Sequence, residues 1–174
     1  MGRVSMISYH RGVAGAAGPP RTSSDRARVY LLDTNVISEF RRRRPHAAVV
    51  AWIESVPDAH LHVSAVTLGE LQAGVEITRE KDPAKAAEIE AWVDRMAGLY
   101  NVLPVDGRAF RVWARLMHRR RDDLIPDAMI AATALVHNLT VATRNVRDFR
   151  ELGVATFDPF AAGLAPGTPP PGRA

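Results

Sequence analysis

The run Val29-Tyr30-Leu31-Leu32 constrains this chain most, because it is apolar at every position and stops at an acid, Asp33. Such a segment reads as a short strand covered on both faces, the situation of a parallel sheet. Thr34, Asn35 and Ser38 follow, with Val36, Ile37 and Phe40 starting a helix. An acid at the carboxyl end of a first parallel strand stands where open α/β sheets hold their ligands. Asp, Thr and Asn are equally the residues that cap helix N-termini. Local preference does not separate an Asp33 that caps from an Asp33 that works. The rest of the chain has to.

Further along, strand-like and helix-like patterns alternate. A helix over Thr34 to about Arg43 is closed by Pro45, and a second runs from His46 to Ser55 with Val49, Val50, Trp52 and Ile53 apolar. Leu61-His62-Val63 is a brief strand, and Ser64 caps a helix reaching about Glu80. Asp82-Pro83 opens another helix, in which Ile89, Trp92, Val93, Met96 and Leu99 fall at helical spacing. Val102 to Val105 reads as a strand, Asp106 caps the helix holding Phe110, Trp113, Leu116 and Met117, and Pro126 starts a helix over Asp127–His137. Leu139 to Ala142 is a strand, Asn145 to Leu152 a short helix, and Val154 to Thr156 a last strand. Strands separated by helices predict an α/β fold with a central parallel sheet between helical layers.

The 174 residues suit one domain with a sizeable core. Residues 1–27 are rich in Gly, Ala, Ser and Pro with scattered Arg, and residues 161–174 are a Gly/Pro/Ala tail. Neither has core-forming content, so the folded domain is expected at 28–160, after a disordered basic extension. The run Val13 to Ala17 is too short for a signal-peptide core, and no apolar run approaches the ~20 residues of a membrane span. The absence of cysteine removes thiolate zinc sites and cysteine nucleophiles, and suits a reducing cytoplasm. The net charge of +4 is carried by arginine, with only Lys81 and Lys85 as lysines. Arginine is the better phosphate fork, so a polyanionic partner fits.

Three further acids share the context of Asp33. Glu70 lies among small or apolar residues on the helix after the second strand. Asp127 lies in the first turn of its helix, where a carboxylate also complements the helix dipole, and Ala131 and Ala134 leave room one turn on. Asp148 follows Thr143-Arg144-Asn145 at the end of another strand. Parallel strands bring these segments to one sheet edge. Two carboxylates about 4 Å apart repel by ~4 kcal/mol at an effective dielectric of 20, so the cluster stays protonated or holds a cation. Oxygen donors alone select Mg²⁺, or Mn²⁺ in its place, and a hydrated Mg²⁺ can present activated water to a phosphodiester.

Leu31-Leu-Asp33-Thr-Asn35-Val-Ile-Ser-Glu39, Thr67-Leu-Gly-Glu70-Leu, Asp127-Ala-Met-Ile-Ala-Ala-Thr133 and Ala142-Thr143-Arg-Asn145-Val-Arg-Asp148-Phe149, in that order, resemble the PIN-domain ribonucleases. The likeness is to VapC toxins of toxin–antitoxin pairs, including the FitB-like subgroup, and covers nearly all of 28–160. The resemblance implies a three-layer α/β/α sandwich and a Mg²⁺ site of Asp33, Glu70 and Asp127, with Thr34, Asn35 and Thr143 as supporting polar groups. It also implies a cognate small antitoxin, a homodimer with the helical hairpin from Glu70 to Leu99 as candidate interface, and larger toxin–antitoxin assemblies. Many members carry Asp directly after Thr-Arg. Here Asn145 stands there, with Asp148 one turn later as the candidate fourth acid. A housekeeping PIN nuclease and a metal-free RNA-binding module are the other readings. A haloacid-dehalogenase-like phosphatase is disfavoured, because Asp33-Thr34-Asn35 lacks a second Asp two residues on.

Arg41, Arg42, Arg43 and Arg44 read either as cations at a helix end or as an RNA phosphate footprint, to which Arg144 would add. Arg119-Arg120-Arg121 is similar, with Asp122-Asp123 behind it. Trp52, Trp92 and Trp113 fall on apolar stripes and read as core, the histidines show no metal spacing, and Asp106 reads as a cap only.

Overall fold

The computed structural model describes residues 28–161. The extension over 1–27, and all but the first residue of the expected tail, lie outside the described residues. Five parallel strands form one sheet: β1 (Tyr30–Leu32), β2 (Leu61–Ser64), β3 (Asn101–Leu103), β4 (Thr140–Ala142) and β5 (Thr156–Phe157), in the order β3-β2-β1-β4-β5. Seven α-helices accompany them among the described residues: α1 (Thr34–Glu39), α2 (Ala47–Ser55), α3 (Ala65–Arg79), α4 (Pro83–Leu99), α5 (Gly107–Leu116), α6 (Ile125–His137) and α7 (Val146–Glu151).

The strands are short, and their alternation divides the core in two. Tyr30 and Leu32 of β1 join a cluster with Val36, Ile37, Val49, Trp52, Val75, Ile89 and Trp92, whereas Leu31 enters a second one with Ile130, Ala131, Val141 and Phe149. The first cluster covers the sheet with α1–α4 and the second with α5–α7, which is the three-layer sandwich. Trp52 and Trp92 are buried and Trp113 packs against the second cluster, so the tryptophans serve the core. Ala131 and Ala134 are also fully buried there. Their small size seats α6 close to the sheet; it does not open an approach to Asp127.

Three helix starts follow the caps expected of them. Ser64 Oγ accepts from Val66 N–H, Asp82 Oδ1 from Lys85 N–H and Asp106 Oδ1 from Ala109 N–H. Three boundaries differ. Helix α1 ends at Glu39, four residues early, because Arg41–Arg44 offer it no apolar face and the Glu39 carboxylate turns inward to accept His46 N–H at 3.1 Å. Strand β3 stops before Pro104, which has no N–H to donate. Strand β5 begins at Thr156, because Leu152 and Val154 are drawn into the second cluster around Gly153, whose φ of +76° turns the chain. No helix among the described residues is long and apolar enough to cross a membrane.

The strand order fixes where a ligand fits. The chain moves outward from β1 through β2 to β3, then returns to place β4 on the other side of β1. The crevice at such a reversal, beyond the carboxyl ends of the strands, is the binding position of open α/β sheets. Asp33 follows β1 and Thr143 follows β4. Asp106 lies away from this crevice in its role, as a cap. Asp106→Ala is therefore expected to lower stability by about 1 kcal/mol in urea unfolding, and no loss would show the Asp106–Ala109 bond to be idle.

Candidate active site

Asp33 caps α1 and also reaches across to the end of β4. One carboxylate oxygen, Oδ1, accepts the N–H of Thr34 at 2.7 Å and starts α1. The other, Oδ2, accepts the Thr143 hydroxyl at 2.6 Å and the Asn35 side-chain amide. Asn35 holds the two strand ends together: its Nδ2 also reaches Thr143 Oγ1 at 3.1 Å and its Oδ1 accepts the N–H of Arg144 at 3.1 Å. Backbone pairing sets the frame for these contacts, with Asp33 N–H on Ala142 O and Thr143 N–H on Phe157 O.

The other acids arrive on helices. Glu70 is half-buried on α3 and accepts the Thr34 hydroxyl at 2.5 Å. Asp127, in the first turn of α6, accepts the Asn145 amide at 3.0 Å. Asn145 is itself fixed by its N–H on Thr143 Oγ1 at 2.8 Å. Where the family's usual acid would stand, an amide donor thus steadies Asp127. Asp148, in the first turn of α7, is near enough for its charge to act on Asp127.

These carboxylates feel one another. Burial at 4 % exposure pushes Asp33 up to about 6, opposed by the Thr143 and Thr34 hydrogen bonds and reinforced by the charges of Asp127 and Glu70. Asp127 is raised too, by burial first, then by Glu70 and Asp148, against the Asn145 hydrogen bond. None of the ion pairs among the described residues includes Asp33, Glu70 or Asp127. Among the described residues no group of three or more Asp, Glu or His side chains is placed so that all could hold one metal ion. Mg²⁺ does not need such a group, since it is bound through one or two carboxylates and keeps several waters. An all-oxygen set, crowded with negative charge and in no ion pair among the described residues, fits such an ion.

The remaining candidates separate. Arg41, Arg43 and Arg44 are exposed, while Arg42 Nε lies 3.2 Å from the buried Glu39 carboxylate. Arg121 pairs with Asp123 at 2.7 Å and Arg120 donates to Glu151 O, so that triplet serves the surface near α7. His62 is lowered by burial and by His137 and His60, and its ring nitrogen meets the Asn101 amide at 3.0 Å. Two residues given no role in the sequence reading become prominent. Glu39 is a buried acid that anchors the turn after α1, and Phe160 lies under the Arg144 guanidinium at 3.9 Å. Glu39 was visible within its motif; nothing local marked Phe160.

A profile of the PIN domain matches residues 30–155. The chain belongs to the PIN-domain family. This PIN domain is 35% identical over 137 residues to Toxin FitB of Neisseria gonorrhoeae, covering 75% of this chain and 97% of that protein. It is 36% identical over 137 residues to the VapC ribonuclease Y4jK of Sinorhizobium fredii, with 75% and 96% covered. Its fold is similar to a solved structure of FitAB bound to an IR36 DNA fragment, at a TM-score of 0.66 and 32% identity, covering 76% of this chain and 96% of that one. The parallel sheet and flanking layers expected of a PIN domain are the ones observed.

The raised Asp33 makes a testable contribution to stability. The folded state keeps its proton up to about pH 6, the unfolded chain only to about the ordinary 3.8. Between those values the folded form binds more protons, so stability falls as pH rises through that window. Asp33→Asn, which removes the charge and keeps the shape, should raise the melting temperature of metal-free protein at pH 7.5, by at most about 3 kcal/mol of stability. The gain should shrink near pH 4. Equal melting of both proteins at pH 7.5 would contradict the crowding of charge.

Proposed function

We propose that this PIN domain is a Mg²⁺-dependent endoribonuclease, the toxin of a toxin–antitoxin pair acting in the cytoplasm. The observation that carries the reading is the grouping of Asp33, Glu70 and Asp127 at the β1/β4 crevice, in no ion pair among the described residues, in a chain 36% identical to a VapC ribonuclease. Asp33 and Asp127 would be the most direct ligands of the ion, with Glu70 beside them. When bound, it supplies an acidified water and charge neutralisation at the scissile phosphate.

The chain's own residues do the rest. Thr143 and Asn35 orient the Asp33 carboxylate, Thr34 orients Glu70, and Asn145 orients Asp127. Hydrolysis adds one water across a P–O ester bond. The attacking oxygen loses its proton to a carboxylate of the cluster, and the departing ester oxygen takes one up from solvent. Asp148 adds negative charge beside Asp127, supporting a fourth-acid role one turn after Asn145, where this chain departs from the family. A housekeeping nuclease and an inactive binding module have less support, because the relatives are named toxin and ribonuclease and the charges of Asp33, Glu70 and Asp127 act on one another. A small antitoxin is the partner consistent with these relatives. The α3–α4 hairpin leaves Ile77 63 % and Leu99 57 % exposed, which supports its use in a homodimer.

Purified protein incubated with total cellular RNA and Mg²⁺ should give discrete fragments, and none with EDTA. Asp33→Asn and Asp127→Asn should each cut at least about 100-fold more slowly, since the lost charge stabilisation is worth several kcal/mol. An identical fragment pattern from all three proteins would sink the site. Asn145→Asp replaces a donor to Asp127 by a further carboxylate. A Mg²⁺ titration of its cleavage rate should reach half-maximum at lower Mg²⁺ than the parent. An unchanged midpoint would remove position 145 from the ion's surroundings.

A further inference from the structure

We propose that Phe160 is a positioning residue, which holds Arg144 as a phosphate-binding contact for single-stranded RNA at the rim of the carboxylate site. This rests on the ribonuclease reading. Arg144 lies between Thr143, bound to Asp33, and Asn145, bound to Asp127, and its own N–H is held by Asn35. Its backbone is therefore fixed by the site itself. A guanidinium so placed would be expected to fold back onto the acids and neutralise them. It does not: none of the ion pairs among the described residues includes Arg144, its side chain is exposed, and its guanidinium carbon lies 3.9 Å from the centre of the Phe160 ring.

The ring can act as a platform because it is itself held. Phe160 packs against the first apolar cluster and its N–H is bound to Asp158 Oδ1 at 2.9 Å. The His46 ring lies 5.4 Å from it on another side. His46 N–H is bound to the buried Glu39, which also meets Arg42. His46, which follows the arginine turn after α1, and Arg144, far apart in sequence, thus border one aromatic ring. An exposed cation–π contact adds only about 0.5–1 kcal/mol, little for stability. What it does is keep a planar fork directed outward, and that fork matches a phosphate. The stack leaves the carboxylates free for a cation and the arginine free for an anion.

The test is binding of a fluorescein-labelled 12-nucleotide single-stranded RNA to the full chain in EDTA, followed by anisotropy from 50 to 200 mM salt. Each lost phosphate contact should lower the slope of log K against log salt by about 0.7. Arg144→Ala should show that loss, and Phe160→Leu should reproduce it with Arg144 intact. Phe160→Tyr, which keeps the ring face, should retain the parent slope, and Phe160→Leu should change nothing further in the Arg144→Ala background. Melting curves identify any variant that fails to fold, and Phe160→Tyr then carries the comparison against Arg144→Ala. A parent slope in Arg144→Ala or in folded Phe160→Leu would overturn the proposal while leaving the ribonuclease reading intact. Failure of the parent protein to bind RNA in EDTA would overturn this proposal, whereas the ribonuclease reading is decided separately by cleavage with Mg²⁺.

Discussion

A carboxylate at the carboxyl end of the central strand is the constraint on which the rest of this structure depends. Asp33 is almost wholly buried, between a sheet and a helix, with two other acids acting on its charge. Burial of a lone carboxylate is costly, and three donors, from Thr34, Asn35 and Thr143, offset part of that cost. They also dictate geometry. Thr143 must follow β4, and β4 must lie beside β1, for the hydroxyl to reach Asp33. Asn35 must sit in the first turn of α1 to touch both strand ends. The strand order and the polar network are one requirement seen at two scales.

Destabilising charge at this edge is consistent with a site built for binding. A protein selected for stability alone would replace Asp33 by an amide or place an arginine against it. The chain has arginines nearby and does not use them so. Arg42 is tied to Glu39, Arg121 to Asp123, and Arg144 to a ring. Arg144, beside the acids, does not cancel them. That separation of charge is what a nuclease needs, since its substrate brings negative phosphate to a negative site and only a cation between them makes the approach favourable.

Much of this was legible in the chain before any coordinates. The apolar run ending at Asp33 marked the central strand, Ser64, Asp82 and Asp106 marked their helices, and four acid-bearing blocks in order marked the site. What escaped depended on contacts between distant segments. Helix α1 ended early because its last acid turned into the core, which a run of arginines after it does not announce. Ala131 and Ala134 looked like open space and are close packing. Asn145 looked only like a missing acid; that its amide steadies Asp127 depends on two helices meeting. Phe160, the last residue of the expected domain, was given no role, and its ring packs on the first cluster under Arg144.

The pairing of Asp33 with Thr143 joins residues 110 apart. On the ribosome, Asp33 emerges early and waits for α6, β4 and their acids before the site exists. At elongation rates of roughly 5–20 residues per second, that delay is on the order of 10 s. No fragment of the chain released before β4 contains the whole carboxylate network. Assembly from both ends of the chain is a timer, and it runs until β4 docks beside β1.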